Sequence, residues 1–130
     1  MAAALRAALL CVLLAPGAAG PPHSLAERKA CADEECSHPI SVAVAVADYV
    51  APDCRFIHFQ RGQVVYVFSK LRGRGKLFWS GSVGGGYYGE QPARLGYFPS
   101  SAVRETRVLR RAAVELDTDE WDFHCHRSRR

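Results

Sequence analysis

Over residues 41–49 the chain reads SVAVAVADY, so that Val42, Val44 and Val46 alternate with Ala43, Ala45 and Ala47. A period of two is that of a β-strand. Both faces of this run are apolar, which predicts a strand covered on both sides. Phe56, Ile57 and Phe59 form a second short β-like run, and Arg61-Gly62 marks a turn after it. Residues 63–70 (QVVYVFSK) are β-branched and aromatic, the composition of a strand. The glycines of 72–76 break it, and 77–83 (LFWSGSV) is the next strand. Gly84-Gly85-Gly86 is a tight hairpin signal. Tyr87-Tyr88 begins another strand, and GYFP at 96–99 ends one near a turn. Val103 and Val108-Leu109 are short apolar pieces, and 115–123 closes the pattern with Trp121 and Phe123. No segment joins a helical period to caps. The pattern predicts an all-β chain of five to seven short strands with glycine-rich turns, closed as a small barrel.

The first residues follow a different pattern. Arg6 precedes an apolar run over 7–15, followed by Pro16 and small residues. This order predicts a secretory signal peptide over 1–19, cleaved after Ala19. The run is too short to span a bilayer, and no other long apolar stretch exists, so a soluble secreted product is expected. Losing Arg6 lowers the formal net charge from +4 to +3. The 130 residues suffice for one domain, and 48% hydrophobic composition is too apolar for a disordered chain. The sequence contains no asparagine, which excludes N-glycosylation.

Cys11 leaves with the leader, and Cys31, Cys36, Cys54 and Cys125 remain. In an oxidising compartment four cysteines read as two disulfides, with three connectivities open. Cys31 and Cys36 can close a local loop, which would leave Cys54 to Cys125. On a loop-entropy model the long bridge would stabilise by about 4 kcal/mol and the short one by about 2 kcal/mol. A zinc site at His124, Cys125 and His126 is the weaker alternative. Adjacent side chains on a strand point apart, and no C-x-x-C pair exists.

Several pieces match the Src-homology-3 pattern in order. Ala45-Val46-Ala47-Asp48-Tyr49 sits where that family has its ALYDY-type strand. Phe56, Phe59 and Gly62 fall in register with its L-x-F-x-x-G-D stretch. Phe78-Trp79 occupies the tandem-Trp position, and Gly96-Tyr97-Phe98-Pro99-Ser100-Ser101 resembles the G-x-F-P-x-N turn. The flanks CADEECSHPIS and DEWDFHC, with FSKLRGRGKLFW and LGYFPSS, narrow the likeness further. With them the chain resembles the extracellular melanoma inhibitory activity and otoraplin family from Gly20 to Cys125. The resemblance implies an SH3-like β-barrel with extra terminal strands, stapled by Cys31–Cys36 and Cys54–Cys125. The expected organisation is a signal peptide over 1–19 and an N-terminal extension with a short disulfide loop over 20–38. An SH3-like domain with a closing strand follows over 39–125, then a basic tail over 126–130.

The groove by which intracellular members hold proline-rich helices needs flat aromatic faces. Here Ala47 and Ala102 stand at two of its aromatic positions, Tyr49 and Phe78 remain, and Asp53 sits beside Arg55. Weak or absent PxxP binding is expected. The family implies instead a regulator that binds fibronectin and integrins and weakens cell attachment to matrix, associated with cartilage and melanoma. The site residues expected for such partners are Asp48, Tyr66, Lys70, Arg72, Arg74, Lys76, Phe78 and Trp121. They would line a cleft between the loops 50–60 and 70–76.

A second expectation is binding of heparan sulfate. Arg104, Arg107, Arg110 and Arg111 form one further basic cluster, and Arg127, Arg129 and Arg130 another. The acidic stretch 115–122 would pair with a basic cluster inside the molecule or across a homodimer. Secretion excludes nucleic acid in practice. The five histidines are scattered, and no nucleophile elbow, paired-carboxylate motif, phosphate loop or HExxH is present. Ser37-His38 is adjacent but shows no third member in sequence. No enzyme, cofactor or metal is expected.

Overall fold

The computed structural model describes residues 24–84 and 94–125. The expected signal peptide, Gly85-Gly86 of the hairpin, the strand at Tyr87-Tyr88 and the basic tail lie outside the described residues. Seven antiparallel strands form one sheet. They are β1 Arg28–Cys31, β2 Ser41–Ala45, β3 Val64–Arg72, β4 Phe78–Val83, β5 Gly96–Pro99, β6 Val103–Val108 and β7 Val114–Asp117. The described residues contain no α-helix, only short 3-10 turns at Gly73–Gly75, Ser100–Ala102 and Glu120–Phe123. The all-β, SH3-like fold expected from the sequence is the fold observed.

Two local expectations are corrected, and one of the expected terminal strands is located. The alternation at 41–49 is a strand only as far as Ala45. The run at 56–59 makes isolated bridges, Tyr49 with Phe59 and Phe56 with Tyr97, because its backbone crosses other strands at single points. The extension before residue 39 contains β1, whose sequence RKAC carries no alternating signal. It forms because β3 and β7 pair with it on either side.

β3 organises the rest. Along one edge, Val64–Val67 pairs with β2 and Ser69–Arg72 with β1, while β4 runs along the other edge. Between Val67 and Ser69 the register with β4 shifts by a residue, leaving Phe68 in a bulge. Val67 stands opposite Gly81, but Ser69 stands opposite Ser80. The faces of β3 therefore exchange at the bulge. Val65 and Val67 point into one core and Leu71 into another, although all three share the same parity.

The first core is the barrel interior. Ala43 and Ala45 of β2 face Ile57, Phe59, Val65, Val67 and Phe98. The Phe59 and Phe98 rings meet edge-on at 5.7 Å. Small alanines oppose large rings, which is how a narrow barrel fills its taper. This corrects the expectation of a β2 covered on both faces. The alanine face is buried, and Val42 and Val44 on the other are half-buried.

The second core lies on the opposite face of β3, β4 and β5, under the chain ends. Ala26, Phe56, Leu71 and Tyr97 are buried there, with Leu25, Phe78 and Phe123 packed against them. Phe123 stacks on Tyr97 at 5.5 Å, and Phe56 meets Phe78 edge-on at 5.6 Å. A Cβ on Gly75 would lie 2.6 Å from the Leu25 carbonyl oxygen, so only glycine lets this loop approach the N-terminal segment. Both disulfides form with the connectivity that the resemblance implied, Cys31–Cys36 and Cys54–Cys125. The second bridge holds the C-terminal turn against the loop before β3.

Candidate functional site

The sequence placed its site residues in one cleft between the loops 50–60 and 70–76. In the structure these loops line two different hollows. One, of about 510 Å³, is bordered by Asp48, Tyr49, Val50, His58, Gln60 and Gln63. The other, of about 280 Å³, is bordered by Glu27, Arg28, Arg72, Gly73 and Arg74.

The first hollow is positioned by the turn before β3. Gly62 adopts φ +94°, a conformation that glycine takes without strain, and its N–H donates to the Ala45 carbonyl at 2.9 Å. The turn brings the Arg61 N–H to Asp48 Oδ1 at 2.7 Å, and the Gln60 N–H to Gln63 Oε1 at 2.7 Å. Asp48 is thus held in place while its side chain stays exposed. The Tyr49 ring forms a wall, tilted against Phe59 at 5.8 Å. Burial, with Asp53 adding, pushes the Tyr49 phenol above its ordinary value. The site offers a carboxylate, two amides, an imidazole and a phenol around an apolar floor. Such a surface suits an extended peptide.

Tyr66 stands on the outer face of β3, opposite Val42 and Ser82. A Cβ on Gly84 would lie 2.4 Å from its ring, so the ring rests on Gly84 beside Val83, which also borders the first hollow. Trp121, half exposed, stacks instead on His124 at 4.7 Å in the C-terminal turn. Phe78 belongs to the second core.

Lys70 has an internal role. Its ammonium lies 4.1 Å from the centre of the Trp79 ring and 3.0 Å from Glu105, which also accepts from the buried Ser41 hydroxyl at 2.6 Å. Burial works to raise the Glu105 carboxyl. The bonds from Ser41 and Lys70 outweigh it and hold the carboxyl below its usual range. Arg72 faces Glu115 at 3.9 Å. Arg74 and Lys76 are exposed, and neither forms an ion pair among the described residues.

The acidic stretch pairs within the molecule, chiefly with cations the sequence had not singled out. Arg28 binds Glu115 at 2.6 Å and Asp117 at 2.8 Å. Lys29 binds the buried Asp122 at 2.5 Å. Asp122 also completes a reciprocal cap with Asp119, and its carbonyl accepts the Tyr97 hydroxyl at 3.0 Å. The signal for that cap, an Asp three residues after an Asp, was present in the sequence.

Ser37-His38 does have a third member. Asp33 accepts from the Ser37 hydroxyl at 3.2 Å and bonds to His38 Nδ1, and it also accepts the Glu35 and Ser37 backbone N–H groups. This is not a catalytic relay. Serine and aspartate share the one imidazole nitrogen Nδ1, whereas a relay needs one on each. The cluster closes the small disulfide loop, in which Cys36 takes φ 54°. His38, followed by the Ser37 bonds, pulls the Asp33 carboxyl down to about 2. Cys125 is bonded to Cys54, so its sulfur is not a zinc ligand. Among the described residues no group of three histidine, cysteine or acidic side chains converges on a metal position.

A barrel of this topology, with a hollow beside the turn before β3, is of the Src-homology-3 type. The family model for a variant SH3 domain matches residues 42–106. The chain is 64% identical to the human melanoma-derived growth regulatory protein over 118 residues, 90% of each chain. It is 70% identical to the rat protein of that name over 101 residues, 78% of each. Mouse otoraplin is 50% identical over 104 residues, covering 78% of this chain and 80% of otoraplin. The chain belongs to this family of growth regulatory, SH3-like proteins. β1 and β7 lie outside the matched SH3 segment, and the Cys54–Cys125 bridge ties Cys54 within it to Cys125 beyond it.

Proposed function

We propose that this protein is a secreted, non-catalytic regulator that binds fibronectin-type matrix proteins and integrins and thereby modulates cell attachment. The observation that carries the reading is the hollow at Asp48, Tyr49, His58, Gln60 and Gln63. It offers fixed polar groups around an apolar floor on a module whose relatives are named as growth regulators. Two disulfides support an oxidising, extracellular setting. Ala47 and Ala102 remove stacking faces that a proline-rich helix requires.

A nuclear magnetic resonance titration with a fibronectin type III fragment tests the site. Saturable shifts are expected at Asp48, His58, Gln60 and Tyr66, and the charge reversal D48K should weaken binding at least about tenfold. Shifts confined to Arg74 and Lys76 would place the site in the second hollow and overturn this reading. A proline-rich peptide should leave Tyr49 and Phe78 unshifted.

A further inference from the structure

The cations of the described residues divide into paired and unpaired groups, and Arg74 and Lys76 of the loop belong to the second. Arg28, Lys29, Arg55 and Lys70 each hold a carboxylate within 3.0 Å. Arg104, Arg107, Arg110 and Arg111 are exposed, and none forms an ion pair or side-chain hydrogen bond among the described residues. All four lie on β6 or directly after it.

β6 pairs with β2 alone. Its register with β2 shifts between Val42 and Ala43, which leaves Thr106 in a bulge. Arg104 stands opposite Val44 and Arg107 opposite Val42. Val42 and Val44 lie on the outer face of β2, so both arginines share that face. In a regular strand, residues three apart would point to opposite sides. The bulge thus aligns two arginines that stand opposite residues two apart on β2, about 7 Å along the sheet. The chain beyond is pinned as well: the Leu109 and Arg110 N–H groups both donate to the Ile40 carbonyl, at 2.8 and 3.0 Å. Arg110 and Arg111 follow directly after β6, and both are exposed.

An acidic peptide could reach the same charge by adding a strand to the open edge of β6. The bulge interrupts the flat ladder such a strand would need, and bulges and charged side chains are the devices that blunt sheet edges. A ligand read through the side chains alone fits better. It should carry anionic groups at intervals along a stiff chain, each able to accept a planar guanidinium fork.

We infer that the outer face of β6, through Arg104, Arg107, Arg110 and Arg111, is a binding strip for a sulfated polysaccharide. It is separate from the hollow at Asp48 and does not depend on the protein-binding reading.

The test uses heparin as the probe, on an affinity column and by titration at two salt concentrations. Two double variants remove the same charge, R104A/R107A on the strip and R74A/K76A on the loop. Circular dichroism and the melting temperature confirm that each is folded. The strip variant should lose at least about tenfold in affinity, equivalent to 1.4 kcal/mol, and elute at clearly lower salt, while the loop variant stays close to wild type. R110A/R111A should show a loss of the same kind without touching β6. Equal losses for strip and loop would show a net-charge effect and overturn the proposal. So would poly-glutamate binding the strip as tightly as heparin, because the occupant would then be an acidic peptide. Retention of desulfated heparin equal to that of heparin would also overturn it.

Discussion

The two cores of this protein are built from different materials. The apolar side chains of the barrel interior are drawn from the stretch between Ala43 and Val103. The second core joins Ala26 near one end of the chain to Phe123 near the other, and polar devices hold it closed. These are the Lys29–Asp122 ion pair, the Asp119–Asp122 cap, the Tyr97 hydroxyl and the Cys54–Cys125 bridge. A barrel that buries Phe98 and Val67 completely needs no staple of its own. Two short terminal segments bury too little area to stay docked unaided, and directed bonds supply the difference.

Four experiments break or sharpen this contrast. F98A removes a fully buried ring from the barrel and should cost about 4 kcal/mol in denaturant unfolding, with every probe reporting the same transition. Removing the long bridge, as C54S/C125S, should cost about 3 kcal/mol. Its signature differs: amides of Ala26–Cys31 and Glu120–Phe123 should lose hydrogen-exchange protection while those of β2 and β4 keep theirs. Uniform loss across the chain would show that the two cores unfold as one. Y97F, which deletes only the hydroxyl bonded to Asp122, should cost about 1 kcal/mol.

The smallest effect is a pH dependence at the open end of the barrel. The Glu105 carboxyl is depressed in the folded state, so its contribution is complete above its ordinary value of 4.5. That contribution is lost as the pH falls through the lower folded value. E105Q should flatten this part of the stability profile measured by urea titration. Asp33, held at about 2, titrates in a lower window and leaves a residual slope there.

Much of the barrel was readable from local pattern. β-Branched runs marked β3 and β4, and GYFP marked β5. The four motifs in register identified the module because each reflects a local turn or packing requirement. β1 was not readable, since RKAC has no periodicity and becomes a strand only between two others. The candidate site was readable in part. Asp48 borders the hollow beside the turn before β3, but Lys70 joins Glu105 inside the molecule, Phe78 joins the second core, and Arg72 and Arg74 border another hollow. Side-chain type announces what a residue can bind, but its neighbours decide whether that capacity is already satisfied.

The sequence by itself determined the strand content, the class of barrel and the supply of the four cysteines that pair. These follow from alternation, turn residues and counting, all local properties. Tertiary structure alone decided which way side chains face beyond Phe68 and Thr106. At each bulge one extra residue reverses the parity of the strand. Leu71 thereby leaves the face of Val67, and Arg107 comes to share the face of Arg104. A period of two carries no mark of such a shift, because the bulge arises from pairing with a partner strand far away in the chain.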